Sequence, residues 1–299
     1  MIKKMFVFLL GAVLIVSCQS RNPKNNGQFG EEDTSALENA LPLSDNAMQD
    51  LVQNISSPVE MASLIKSIGA PYSQKYLATT KNLSNYNTAN SKALSLGIFT
   101  ADLGYLNMYG KTSAVLQYIT AIKELADGIN IGQFFDFSTL KRLSTNNENL
   151  DSLMYIAVHS YNKMDTYLKK NNRSNLSALM VTGVYIEGLY LNTQVYKIRK
   201  NQKLADNIGE QKDIFNQLLL ILTNYKKDPY FASLIKDLES LKKELAPIKI
   251  TIEKGEPESI EENGMLKIIQ HERSIVTITP ETIDKIILQT EIIRNKLIL

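Results

Sequence analysis

Residues 91–107, SKALSLGIFTADLGYLN, decide the fold. The run is apolar on most sides and free of proline, so it reads as a helix buried in a core rather than laid on a surface. Gly97, Ala101 and Gly104 share one face at helical spacing, which lets a second helix approach closely. Residues 176–192, LSALMVTGVYIEGLYLN, carry the same pattern at one constant offset. Ala93-Leu94 is answered by Ala178-Leu179, Leu96 by Val181, Phe99 by Val184, Asp102 by Glu187, and Tyr105-Leu106-Asn107 by Tyr190-Leu191-Asn192. Gly183 and Gly188 would give the second run its own close approach.

Further matches keep the order. Leu125-Ala126-Asp127 is followed by Leu204-Ala205-Asp206, Leu143-Ser144 by Leu222-Thr223, and Ser152-Leu153-Met154 by Ser233-Leu234-Ile235. Such matches are cheap singly, because amphipathic helices share a small alphabet; the collinear series suggests two pseudo-repeats of about 80 residues, 91–170 and 173–245. The expected fold is mainly α, a helical bundle or short superhelix spanning residues 44–246. Ser57-Pro58 opens a short helix with Met61, Leu64, Ile65 and Ile68 on one face and Gly69 at its end.

After Pro247 the apolar period changes from helical to two. Ile248, Ile250 and Ile252 alternate with Lys249, Thr251 and Glu253, which predicts a strand. Lys254 to Gly264 reads as a charged turn, with further strands over 265–270 and 274–279. Thr279 and Pro280 then cap a last helix, with Ile283, Ile286, Ile287, Thr290, Ile293 and Leu297 as its stripe. Residues 247–299 thus form a small strand-and-helix appendage expected to pack on the helical body.

Asp102 and Glu187 are the residues that chemistry singles out. Each carboxyl interrupts an apolar helix, and each has a tyrosine three residues on along the same face, Tyr105 and Tyr190. A buried carboxylate is costly unless hydrogen-bonded or paired. The bland interpretation is a polar network satisfied by the tyrosine hydroxyls and Asn107 or Asn192. The sharper one is a ligand- or cation-binding site where the two acids meet, lined by Asp102, Glu187, Tyr105 and Tyr190.

The N-terminal residues give an address. Lys3 and Lys4 precede twelve almost wholly apolar residues, Met5 to Val16, and Leu14-Ile15-Val16-Ser17-Cys18 has the pattern of a bacterial lipobox. Residues 1–17 then form a signal peptide, and Cys18, the sole cysteine, becomes the acylated N-terminus. Residues 18–43 read as a flexible polar tether with Pro23, Gly27 and Gly30. Without Lys3 and Lys4 the formal charge falls from +2 to zero, and no basic patch suggests a nucleic-acid partner. No aspartate follows Cys18 and no acidic cluster comes directly after it, which favours the outer membrane, facing the periplasm.

No catalytic motif is present: no Gly-x-Ser-x-Gly elbow, no Gly-rich phosphate loop and no Glu-x-x-His pair. His159 and His271 lie in different regions, and no metal or cofactor is expected. Phe134, Phe135 and Phe137, ahead of a helix capped by Asp136 or Ser138, read as a loop plugging the core or, alternatively, as an exposed contact patch. Tyr72, Tyr76, Tyr86, Tyr105, Tyr109 and Tyr118 fit either packing or a groove lining.

Taken together, Ser57-Pro58-Val59-Glu60-Met61, Leu96 to Tyr105, Gly132-Gln133-Phe134-Phe135-Asp136, Asn171 to Leu176 and Ile293-Arg294-Asn295-Lys296 resemble a group of uncharacterised helical lipoproteins of Bacteroidetes. The resemblance covers most of the mature chain and implies an envelope address and a mostly helical fold, with no assigned activity or site residues. The helical repeats offer extended surfaces and no catalytic group is evident, so the expected function is a lipid-anchored binding or scaffold protein with an envelope protein as partner. The alternatives are a small-ligand binder with a site between the repeats and, last, a hydrolase using the paired carboxylates.

Overall fold

A computed structural model describes residues 51–52, 58–144, 150–255, 258–262, 265–269 and 272–298. The expectations for the signal segment, Cys18, the tether, Ser57 and His271 lie outside those residues.

The protein is mainly α-helical. In chain order the helices are α1 (Pro58–Ser67), α2 (Ala89–Met108), α3 (Thr112–Asp127), α4 (Phe137–Ser144), α5 (Leu150–Lys170), α6 (Ser174–Ile198), α7 (Gln202–Thr223), α8 (Pro229–Leu245) and α9 (Pro280–Leu297). Local chemistry sets several of the boundaries. Thr88 and Ser91 form a reciprocal capping box that starts α2 slightly before the expected Ser91. Asn201, Asp228 and Thr279 cap α7, α8 and α9 through their side chains, with Pro229 and Pro280 in the first turns. Gly69 follows α1 at φ +69°, a left-handed conformation that suits glycine.

Helices α2 and α6 form the centre, as their apolar circumference demands. Each packs chiefly on the other; α3 lies on α2, α5 and α7 lie on α6, and α9 packs against α6 and α8. The two central helices meet at Gly97 and Gly183. A Cβ on Gly97 would stand 2.0 Å from the Met180 carbonyl oxygen, and one on Gly183 would stand 2.1 Å from that of Leu94. Only hydrogen fits there. Gly188 plays no such part, since a Cβ on it meets nothing within 4 Å. The face pattern was correct for one glycine of that pair and not for the other.

The C-terminal appendage contains β1 (Lys249–Lys254), β2 (Glu258–Glu262), β3 (Met265–Ile269) and β4 (Glu272–Thr277). β1 pairs antiparallel with β4, and β2 with β3, so the two ladders nest like successive lengths of one hairpin. β2 occupies the stretch expected to be a turn. Its own sequence, ESIEE, has a single apolar residue, and the pairing with β3 overrides that weak local preference. The base of the hairpin packs on α7, where Val276 and Ile248 close over Gly209. The α9 stripe is as expected, with Ile283, Ile286, Ile287, Thr290 and Ile293 buried and Leu297 partly so.

Candidate functional site

Asp102 on α2 and Glu187 on α6 face each other a short way beyond the glycine crossing. Both are completely buried, and their carboxyls lie within hydrogen-bonding reach of each other. Arg294 on α9 completes the cluster at 4 % exposure. Its Nε donates to Glu187 Oε2 at 2.9 Å and its Nη2 to Glu187 Oε1 at 2.9 Å, a bidentate pair. Nη2 also donates to the Tyr76 carbonyl oxygen at 3.0 Å, and the guanidinium lies 4.4 Å from the centre of the Tyr190 ring.

The partners differ from those expected. Tyr105 and Tyr190 do not satisfy the acids. The Tyr105 hydroxyl instead accepts from the Ser73 backbone N–H at 2.9 Å, and Tyr190 presents its ring to Arg294. Asn192 Nδ2 donates to Asn207 Oδ1 at 2.8 Å. Asp102 Oδ2 accepts from the Ala78 backbone N–H at 2.9 Å, while its Oδ1 is buried without a donor.

These bonds hold a strap. Residues 70–78 run outside any α-helix, and their backbone groups need partners when covered. Side chains of the core supply them. Tyr109 donates its hydroxyl to Ala70 O at 2.6 Å, Tyr118 donates to Ala78 O, Asp102 accepts from Ala78 N, and Arg294 donates to Tyr76 O. The tyrosines that could have lined a groove pack on one another or on Phe99 instead. Tyr105 and Tyr109 ring centres are 4.9 Å apart, those of Tyr72 and Tyr105 5.8 Å apart, and Tyr118 and Phe99 meet edge to face with centres 5.7 Å apart.

The charges follow from the burial. Two ionised carboxyls and one guanidinium would leave a net negative charge in a dry interior, which is costly. Burial first, and then the neighbouring Glu187 charge, pushes Asp102 well above the ordinary aspartate value; the Ala78 N–H and Arg294 only partly oppose this. Burial also raises Glu187, against the lowering pull of Arg294. Burial works against the Arg294 charge, but the Glu187 carboxylate outweighs it and that pKa is raised. One proton on Asp102 therefore makes the cluster neutral. It also gives Oδ1 a hydrogen to donate toward Glu187, which accounts for the atom that otherwise lacks a partner.

Arg294 escaped sequence reading, although a signal existed. It stands four residues after Thr290 and seven after Ile287, on the buried stripe of α9, where a cation requires a carboxylate. Elsewhere, Phe134, Phe135 and Phe137 are half-buried and pack against the core, and Asp136 caps α4 by accepting from Thr139 N at 3.0 Å. His159 is exposed on α5. Among the described residues, no group of three or more His, Cys, Asp or Glu side chains is placed to hold a metal ion, and no helix is long and apolar enough to cross a membrane. Compared with known proteins, the chain matches no family model, no curated protein and no solved structure.

Proposed function

We propose that this chain is a lipid-anchored envelope protein of the periplasmic face of the outer membrane, acting there as a binding or scaffold subunit for another envelope protein. The address rests on Leu14 to Cys18 behind Lys3, Lys4 and a short apolar run. Two or three acyl chains, at about 0.8 kcal/mol per buried methylene, suffice for a stable anchor. The observation that carries the non-catalytic part is the fate of Asp102 and Glu187. Both are sealed from solvent and committed to Arg294, Ala78 and each other, so they serve the fold and leave recognition to the outer surface.

We also read the body as two pseudo-repeats, and the support for this lies in the central helices. Asp102 and Glu187, equivalent at the shared offset, come together, whereas Gly183, which meets Gly97 reciprocally, lies one residue past the position equivalent to it. The outer matches support it less: Leu125-Ala126-Asp127 closes α3, whereas Leu204-Ala205-Asp206 lies near the start of α7.

Metabolic labelling with an alkyne fatty acid tests the anchor. The wild-type chain should take up label and sediment with membranes, and Cys18→Ala should do neither. An unlabelled wild type, or a variant that sediments as well as wild type, refutes it. Crosslinking the lipidated protein in intact envelopes tests the scaffold. A stoichiometric protein partner is expected, whereas a protein recovered alone with a bound small molecule would replace this reading with that of a ligand binder.

A further inference from the structure

The hairpin leaves an edge uncovered. Among the described residues β1 has one strand partner, β4, so its other edge has no ladder. An uncovered edge of this kind is a template for another strand. The strand is also apolar where a surface strand need not be. Ile252 is 63 % exposed and lies on the same side as half-buried Ile250, the side by which the hairpin meets α7.

We propose that this edge docks a second copy of the chain, with the two β1 strands antiparallel about a two-fold axis at Thr251. The sequence Lys249-Ile250-Thr251-Ile252-Glu253 is self-complementary about its centre. In that register Lys249 of each copy faces Glu253 of the other, Ile250 faces Ile252, and Thr251 faces itself. Each exposed Ile252 is covered by a partly buried Ile250, and the apolar sides of both hairpins form one face of a four-stranded sheet ordered β4-β1-β1-β4. Centring the axis on Ile250 or Ile252 loses this match: the first sets Lys249 against Thr251, the second sets Ile250 against Lys254. β4 has no comparable symmetry. Centred on Ser274, it would set Glu272 against Val276 and Arg273 against Ile275. Charge and apolar pattern thus select one strand, one register and one occupant.

Sedimentation of the full chain carrying Cys18→Ala tests this, with circular dichroism to establish that each variant folds. Wild-type residues at 249 and 253 should give a concentration-dependent dimer. Lys249→Glu alone and Glu253→Lys alone should each weaken self-association about tenfold, because both attractive pairs become repulsive. An equimolar mixture of the two single variants should regain dimers, as each supplies the sign that the other lacks, and the double variant should dimerise by itself. Thr251→Cys, as the sole thiol, should form an intermolecular disulfide, since directly opposed strand residues lie about 4.5–5.5 Å apart at Cα. Thr277→Cys, on the outer strand of the same hairpin, should not. A chain that stays monomeric at every concentration reached overturns the proposal and leaves the edge charges as guards against association. Equal crosslinking at both positions, or single variants that fail to recover on mixing, also overturns it.

Discussion

Replacing Asp102 by asparagine should leave the protein folded and make it more stable as the pH rises. The side-chain oxygen of asparagine can accept from the Ala78 N–H, and its amide can donate to Glu187, so it reproduces the neutral acid atom for atom. Near pH 4 the two proteins should differ by less than about 1 kcal/mol, the scale of one net hydrogen bond. Above that they separate. An unfolded aspartate titrates near about 3.9, whereas the folded Asp102 holds its proton to a much higher pH. Stability from the held proton is therefore complete below the unfolded value and is lost as the pH climbs toward the folded one. The slope is about 1.4 kcal/mol per pH unit, or about 2.7 kcal/mol over two units within that window. Asparagine has no such loss. Titrating groups remote from Asp102 are common to both proteins and cancel in the difference, and Glu187, which faces Asp102, stays paired with Arg294 in both. The chain has no tryptophan, so urea unfolding followed by circular dichroism at several pH values is the suitable assay. A gap that stays flat with pH, or a variant destabilised by a constant amount throughout, would refute the protonated-acid argument.

Arg294→Met should cost about 3–5 kcal/mol at neutral pH by stranding the buried Glu187 charge, and adding Glu187→Gln should restore much of that loss; strictly additive costs in a double-mutant cycle would show that the pair is not coupled. Gly183→Ala drives a Cβ against the Leu94 carbonyl and should lower stability by about 1–3 kcal/mol or more, whereas Gly188→Ala meets open space and should gain up to about 1 kcal/mol from helix propensity; thermal melts of the two variants should move in opposite directions. Hydrogen bonds from Thr139 and Ser138 lower Asp136 to about 2, so its cap on α4 should be intact above the ordinary aspartate value and fail as the pH falls through about 2. Amide exchange at Thr139 reads this directly, and protection that is indifferent to Asp136→Ala would sink it.

Helices α2, α6 and α9 were legible because burial leaves a mark in residue type. An apolar circumference marks α2 and α6, and an isoleucine stripe with Thr279-Pro280 ahead of it marks α9. Asp102 and Glu187 were legible for the converse reason, as acids in helices that otherwise exclude charge. What remained hidden was held by backbone or by distance. The strap is fastened through the amide of Ala78 and the carbonyls of Ala70, Tyr76 and Ala78, groups common to every residue that leave no trace in the alphabet. Arg294 pairs with Glu187 across 107 residues, and in the last turn of a helix a basic residue already has a sufficient explanation in the helix dipole. β2 was hidden because its conformation comes from β3 and not from ESIEE itself.

The polar centre also bears on how α9 finds its place. Four isoleucines make its stripe, and they are nearly interchangeable, so a slip of one turn along α6 and α8 would still bury apolar surface. Hydrophobic contact alone therefore sets the register weakly. Arg294 sets it strongly, because any slip removes the cation from Glu187 and leaves two unpaired charges in the core. The same guanidinium also bonds Tyr76, 218 residues away, so seating α9 correctly fastens the strap as well. A well-packed apolar cluster in place of the charges could match their stability. It would not join α9, α6 and the strap in a single arrangement, as the bonds of Arg294 to Glu187 and Tyr76 do.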